Sequence, residues 1–378
     1  MRFGTQAIHA GQDPHPETGA VNVPIFMSST YSQSSQEAYV YGRGRNPTRE
    51  ALETSLATLE GGVHAMAFAS GMAAITTLTT LLKEGDHVVV ADNVYGGTYR
   101  LFRQVMEDFG VSFDFVDMTD LKRTEAAIRD NTRLLWAESP TNPLLKVVDL
   151  EALAELGRAR GVLTAVDSTF ASPYLQQPLK LGMDIVMHST TKYLAGHSDV
   201  LGGAIVTSDD EVHDRLRFSQ NALGAIPSPF DCYLVLRGIR TLPLRMDRHC
   251  ANAMLLAHFL QEREEVAWVA YPGLEDHPGY PVAKRQMRAF GGMVSFALAG
   301  EKEARTFLKA LRLIILGESL GGIESLIEHP ASMTHKSVPR AEREAQGIGD
   351  GLIRFSVGCE DVADLIEDLR QALQAVPT

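Results

Sequence analysis

VLTAVDSTFASPYLQQPLKLGMDIVMHSTTK, residues 162–192, contains two short apolar runs, VLTAV and DIVM, each closed by polar residues. Runs of four or five apolar residues between turn signals read as buried strands. The first ends at Asp167, and the second leads through His188 into Ser189, Thr190, Thr191 and Lys192. A free lysine amine has a pKa of about 10.4, so a lysine at the end of a buried strand must meet an anion or give up its proton. The plain alternative is a solvated lysine in a polar loop, and the rest of the chain decides between them.

Working outward, further strand-like runs occur at AMAF (65–68), HVVVA (87–91), RLLWA (133–137) and GAIVT (203–207). Between most of the runs lie helix candidates such as residues 150–160, where Leu150, Leu153, Ala154 and Leu156 form an apolar stripe. This alternation predicts an α/β fold around a mostly parallel central sheet. Ligands gather at the carboxyl ends of such strands, which is where Ser70, Tyr95, Asp167 and Lys192 fall. We therefore expect a large domain over residues 56–246. Residues 1–55 are rich in Gly, Pro, Ser and Thr, with Tyr31, Tyr39 and Tyr41 among them, and read as an arm that packs on something, a partner subunit being one candidate. Residues 247–378 read as a smaller α/β domain. It has a helix over 251–264, strands in GGMVSFALAG and GLIRFSVG, and a last helix striped by Val362, Leu365, Ile366, Leu369 and Leu373.

With 378 residues, 45% of them hydrophobic and 22% charged, the chain can fill large cores without disulfide support. A net charge of -12 argues against a general affinity for nucleic acid or an anionic membrane, so any phosphate contact should be local. Cys232, Cys250 and Cys359 are scattered and odd in number, the pattern of reduced thiols. Gly, Asp and Pro break the first residues before an apolar core long enough for a signal peptide can form, and no later run approaches a membrane span. A soluble, cytoplasmic protein is expected.

SGMAA (70–74) follows a strand and opens a helix. Its small residues and the helix dipole would let a phosphate rest on Gly71 and Met72, although a tight turn also explains the stretch. Asp167 and Lys192 could form a simple ion pair. Alternatively, the acid holds the protonated nitrogen of a heteroaromatic cofactor and the lysine takes its aldehyde. Pyridoxal 5'-phosphate demands that set of partners. Ser189 and Thr191, at i-3 and i-1 from the lysine, would serve its phosphate, and Tyr95 in NVYGG would supply a stacking surface with Gly96 and Gly97 leaving room. His188 and His197 read either as supports behind the residues of the site or as purely structural, since neither has a partner at metal-ligand spacing, and no metal is expected.

These residues carry a resemblance. TQAIHAGQDP, YGRGRNPTR, FASGMAA, DNVYGGTYR, ESPTNP, VDSTFASPYLQQPL, STTKYLAGHSDV, GESLGGIESLIEHPASMTH and LIRFSVGCEDVADLIEDL run in order along almost the whole chain. The chain is similar to the cysteine and methionine metabolism family of pyridoxal-phosphate enzymes, with the fold-type I, aspartate aminotransferase-like fold. The resemblance implies that Lys192 binds the cofactor covalently and shuttles protons, that Tyr95 stacks on its ring and that Asp167 holds its nitrogen. Gly71, Met72, Ser189 and Thr191 would hold the phosphate. Tyr41 and Arg43 would reach the phosphate of a neighbouring subunit, in a homotetramer built as a dimer of dimers. Arg354 would clamp the α-carboxylate of a small amino-acid substrate, supported by Asn142 and Ser319, with Glu318 near the distal part.

The activity so implied is trans-sulfuration: γ-elimination from L-cystathionine to cysteine, 2-oxobutanoate and ammonia, or else γ-replacement that makes cystathionine from an O-acylhomoserine and cysteine. Methionine γ-elimination is disfavoured because Gly97 stands where that branch carries a cysteine. A non-catalytic scaffold is disfavoured because Lys192, Asp167 and Arg354 are all present. The family's usual VDNTF reads VDSTF here, which puts Ser168 beside Asp167.

Overall fold

All six apolar runs between residues 65 and 207 form strands in the computed structural model, which describes residues 1–33, 39–336 and 340–376. The strands are β1 (His64–Phe68), β2 (His87–Ala91), β3 (Ser112–Val116), β4 (Thr132–Glu138), β5 (Leu163–Asp167), β6 (Ile185–His188) and β7 (Gly203–Thr207). β3, which the apolar runs did not announce, is the half-buried edge, and its sequence SFDFV alternates polar and apolar residues accordingly. The order is β1-β7-β6-β5-β4-β2-β3, with β7 antiparallel to both of its neighbours and every other pairing parallel. A parallel neighbour needs a long crossover. The chain after β6 instead turns through residues 189–202 and returns antiparallel, leaving Lys192 on a loop at the carboxyl end of the sheet.

The sheet buries both faces. On β1, Met66 and Phe68 pack with Ala74, Ile75 and Leu78 of the Gly71–Thr79 helix. Ala65 and Ala67 face the other way, toward Leu52, Leu56 and Leu59 of the Pro47–Glu60 helix. This period of two is what a strand imposes, and each large apolar side chain fully buried in this way contributes roughly 1.5–3 kcal/mol. The Leu150–Arg160 helix falls where its stripe predicts. Within the first 55 residues the helix Phe3–His9 forms, and the Pro47–Glu60 helix starts. Asn46 caps the latter by accepting from the backbone N–H groups of Thr48 and Arg49, with Pro47 in its first turn.

A second sheet comprises β8 (Trp268–Ala270), β9 (Met293–Ala297), β10 (Ile315–Leu316), β11 (Leu326–Glu328) and β12 (Leu352–Ser356), in the order β10-β11-β12-β9-β8. All its pairings are antiparallel except β10 with β11. Leu365, Leu369 and Leu373 of the Val362–Leu373 helix pack beneath it, as their spacing predicts. The helix expected over residues 251–264 is longer at its start and runs Leu242–Gln261. Leu242 and Met246 join the core of the first sheet and Ala253, Leu256 and Leu260 that of the second, so one helix ties the two sheets together. Among the described residues no helix is long and apolar enough to cross a membrane.

Candidate active site

The carboxyl ends of β1, β4, β5 and β6 open on a cavity of about 410 Å³, closed from the far side by residues that flank β11 and β12. Gly71, Met72, Tyr95, Asn142, Asp167, Ser189, Thr191, Lys192, Glu318, Ser319 and Arg354 all line it, together with Ser70, Glu138, Thr169 and Thr334. Tyr41 and Arg43 do not. Tyr41 is half exposed, and Arg43 donates to the backbone carbonyl of Asn221 at 2.7 Å.

Lys192 is part-buried in the cavity wall. Its Nζ donates to Ser319 Oγ at 2.6 Å. Burial, reinforced by the Arg354 charge and opposed by Glu328 and Glu318, lowers its pKa to about 8. A large share of the amine is then neutral near pH 8, where an ordinary lysine is almost wholly charged. In cofactor-free protein, acetylation of Lys192 by acetic anhydride, read by peptide mass spectrometry, should therefore rise as pH passes about 8 and level off above it. A midpoint near 10.5 would show that the cavity does not depress the amine.

Asp167 ends β5 beside Glu138, its in-register neighbour at the end of β4. Burial pushes both carboxyls above their usual range, and in Glu138 the adjacent Asp167 adds to the rise. Asp167 Oδ1 accepts from the Thr169 backbone N–H at 3.0 Å and from the Thr169 hydroxyl at 2.5 Å, whereas Oδ2 takes no hydrogen bond from the described residues. A buried carboxylate with one free oxygen at a cavity wall suits a cationic ring nitrogen. Thr169 Oγ1 in turn accepts from the Ser189 backbone N–H at 2.9 Å, fixing the acid to the loop that carries the lysine. Ser168 is wholly buried, and its hydroxyl accepts from the side chain of Gln176 at 3.2 Å, so the serine has a local partner of its own.

Glu138 was not anticipated. Its Oε2 accepts from the Tyr95 backbone N–H at 2.8 Å and its Oε1 from the Asn142 backbone N–H at 3.0 Å, so one buried acid places both residues. The sequence signal was available: TRLLWAE is a buried strand ending in an acid, the same pattern as LTAVD. Tyr95 is held further by a close approach. A Cβ on Gly97 would lie 2.3 Å from Tyr95 Cε1 and 2.8 Å from Met72 Sδ, so only glycine leaves the ring where it is.

One side of the cavity is built by the Gly71–Thr79 helix. Ser70 caps it by accepting from the Ala73 N–H at 3.0 Å, which leaves the amides of Gly71 and Met72 at the open N-terminus. A Cβ on Gly71 would crowd Ser189 Cβ at 3.1 Å and Met187 Cε at 3.2 Å, so this glycine keeps the helix end against the lysine loop. Thr191 is less free than its position suggests. Its Oγ1 accepts from the Gly202 N–H at 2.9 Å and donates to the Gly202 carbonyl at 3.2 Å, so serving a phosphate means redirecting that proton.

Opposite lies Arg354, on β12. It donates from Nη1 to Asn142 Oδ1 at 3.0 Å and from Nη2 to the Ser319 carbonyl at 2.9 Å, and Nη1 lies 3.1 Å from Glu328 Oε1. Its Nε has no acceptor among the described residues. Ser319 holds a left-handed backbone conformation, φ +100°, which lets its carbonyl meet Arg354 while its hydroxyl meets Lys192. Glu328 also escaped the sequence reading, because nothing local in SLIEH reveals a partner on another strand. His188 pairs with buried Glu60, and His197 Nδ1 meets the Ala195 carbonyl at 2.8 Å.

An amine of depressed pKa, a half-satisfied buried acid and an open helix N-terminus around one cavity are the three demands of pyridoxal 5'-phosphate, and they define the chain as an α/β enzyme dependent on it. A model of the family described as Cys/Met metabolism PLP-dependent enzyme matches residues 4–374, and the chain belongs to that family. It is 53% identical to the cystathionine β-lyase of Coxiella burnetii over 375 residues, 98% of this chain and 97% of that one. It is equally 53% identical to the cystathionine γ-synthase of Mycobacterium tuberculosis, over 98% of this chain and 96% of the other. The solved cystathionine γ-lyase of Lactobacillus plantarum, complexed with L-serine, superposes with a TM-score of 0.98 at 47% identity, covering 100% of this chain and 99% of that one. Chains of one architecture thus carry three reaction names, all within trans-sulfuration.

Proposed function

We propose that the chain is a cystathionine γ-lyase, converting L-cystathionine and water to cysteine, 2-oxobutanoate and ammonia. The observation that carries this reading is a charged antechamber. Tyr95, Glu318 and Thr334 line both the main cavity and an adjoining hollow, which also holds Arg100 and Lys336. An acid and two cations there suit the distal ammonium and carboxylate of a substrate with an amino acid at each end. A substrate with an apolar tail would leave them unpaired.

The residue roles follow from geometry and chemistry. Bound in the cavity, pyridoxal phosphate supplies the electron sink that makes the substrate's Cα and Cβ protons labile. Arg354 holds the α-carboxylate, with Asn142 and Ser319 fixing the guanidinium. Lys192 Nζ, aimed by Ser319 Oγ, takes the Cα proton and then moves the Cβ proton as the γ-sulfur leaves. Asp167 would balance the positive ring nitrogen of the cofactor, and the amides of Gly71 and Met72, with Ser189 and Thr191, would hold its phosphate.

Tyr41 and Arg43 lie outside the cavity of their own chain, which supports the reading that they complete the site of a second copy in a homotetramer made of two dimers. The exposed side chains of Met27, Val40, Leu201 and Phe218 are consistent with such contacts. The three free cysteines agree with a reducing, cytoplasmic setting.

Likeness to the Mycobacterium tuberculosis enzyme favours one second reading, the γ-synthase, in which cysteine rather than water meets the activated substrate. Purified holoenzyme given L-cystathionine should release 2-oxobutanoate faster than it forms cystathionine from O-acetyl- or O-succinylhomoserine plus cysteine. Faster cystathionine formation would establish the synthase instead, and pyruvate as the main oxoacid would mean β-cleavage.

A further inference from the structure

Arg354 and Glu328 are direct cross-strand partners in the antiparallel pair β11 and β12, so the register alone puts their side chains on one face. Both are almost wholly buried, 3% and 1% exposed at the side chain, and they meet at 3.1 Å. Removing two charges from water offsets most of what such a pair gains by attraction, so it adds little to stability as a pair. Its position gives it another consequence. Glu328 Oε1 is shared between Arg354 Nη1 and the Thr334 hydroxyl, 2.9 Å away, while Glu328 Oε2 and Arg354 Nε are buried without partners among the described residues. The guanidinium that meets an incoming carboxylate is therefore already partly neutralised from behind.

We propose that Glu328 is the internal counter-ion of Arg354, a positioning residue that sets how tightly the site holds an α-carboxylate by competing with it for the same guanidinium. The proposal rests on the reading of Arg354 as the carboxylate clamp. With Glu328 in place, a carboxylate enters a site whose cation is already compensated and must share it with a buried anion. Without that charge, the buried guanidinium would be unpaired until a carboxylate arrived. Two anions several ångströms apart in a medium of effective dielectric near 20 repel enough to weaken binding about tenfold. A counter-ion of this kind weakens the grip on substrate and product alike, so that binding does not become a trap. The same acid also reaches the neighbouring amine, since Glu328 opposes the fall in the Lys192 pKa that Arg354 promotes.

The test compares glycine with methylamine, two amines that differ in the carboxylate, as ligands of the holoenzyme, followed by the change in its visible absorbance. Wild-type protein should prefer glycine. Glu328→Gln keeps an oxygen for Arg354 and Thr334 but removes the charge, and should raise that preference about tenfold; its effect through Lys192 acts on both amines alike and cancels in the ratio. In turnover, KM should fall without a rise in kcat. Thr334→Val removes the hydroxyl that draws on Oε1 and leaves the charge wholly on Arg354, so it should lower the preference. A wild-type protein with no preference for glycine would overturn Arg354 as the clamp. A normal wild-type preference that Glu328→Gln leaves unchanged or reduces would overturn the counter-ion alone. Should Glu328→Gln fail to fold, Thr334→Val decides, and an unchanged or increased preference in that variant overturns the proposal.

Discussion

Lys192→Ala should lower turnover of L-cystathionine by on the order of 10^4-fold, and borohydride should no longer fix pyridoxal phosphate to the protein. Both outcomes follow from one atom. Lys192 is the only lysine among the residues that line the cavity, and its amine is poised with a pKa of about 8, held by Ser319 Oγ. The other strong base-like side chain within reach, Arg354, keeps its proton at any working pH and cannot replace it. Asp167 and the amides of Gly71 and Met72 are untouched by the substitution, so the variant should still bind the cofactor, with its absorbance shifted toward that of the free aldehyde. Small amines added to the solution should restore part of the rate by standing in for Nζ. Borohydride fixation undiminished in the variant would place the covalent link on another amine and refute the assignment.

Strand ends were legible because their chemistry is local: an apolar run followed by Asp167, or by Ser189 and Lys192, can be seen within a few residues. The helix that opens on the cavity was legible for the same reason, through SGMAA. Residues whose meaning lies across the sheet were not. Glu138 acts through Tyr95, 43 positions away in the chain, and Arg354 meets Asn142 across 212 positions. Glu328 meets Arg354 only through strand register, which no periodicity in SLIEH encodes. The early start of the Leu242–Gln261 helix was hidden by its buried polar face. Arg245 and His249 interrupt the apolar stripe, yet both are buried, Arg245 donating to the carbonyls of Tyr193 and Gly238 and His249 meeting the Val357 carbonyl. Hydrophobic pattern reads burial, and here burial was bought with hydrogen bonds instead.

Arg354→Leu separates two roles of one side chain. Truncating one partner of a buried, hydrogen-bonded charge pair costs about 2–5 kcal/mol, so kcat/KM for cystathionine should fall by roughly 30- to 5000-fold. The same substitution leaves Glu328 buried without its cation. Burial already pushes the Glu328 carboxyl up and Arg354 opposes the rise, so losing Arg354 raises it further. The sign of the pH effect follows. An acid whose folded pKa lies above its unfolded value of about 4.3 favours the folded state most when protonated, so the variant's stability should fall as pH rises from about 4 through the raised folded value and then level off. Urea melts across that range measure it. Adding Glu328→Gln removes the stranded charge, so the double variant should recover stability and lose the pH dependence. It should not recover turnover, because the proposed clamp for the α-carboxylate is gone. A double variant that regained activity would mean that Arg354 serves the site only by neutralising Glu328, and the carboxylate would then have to be bound elsewhere in the cavity.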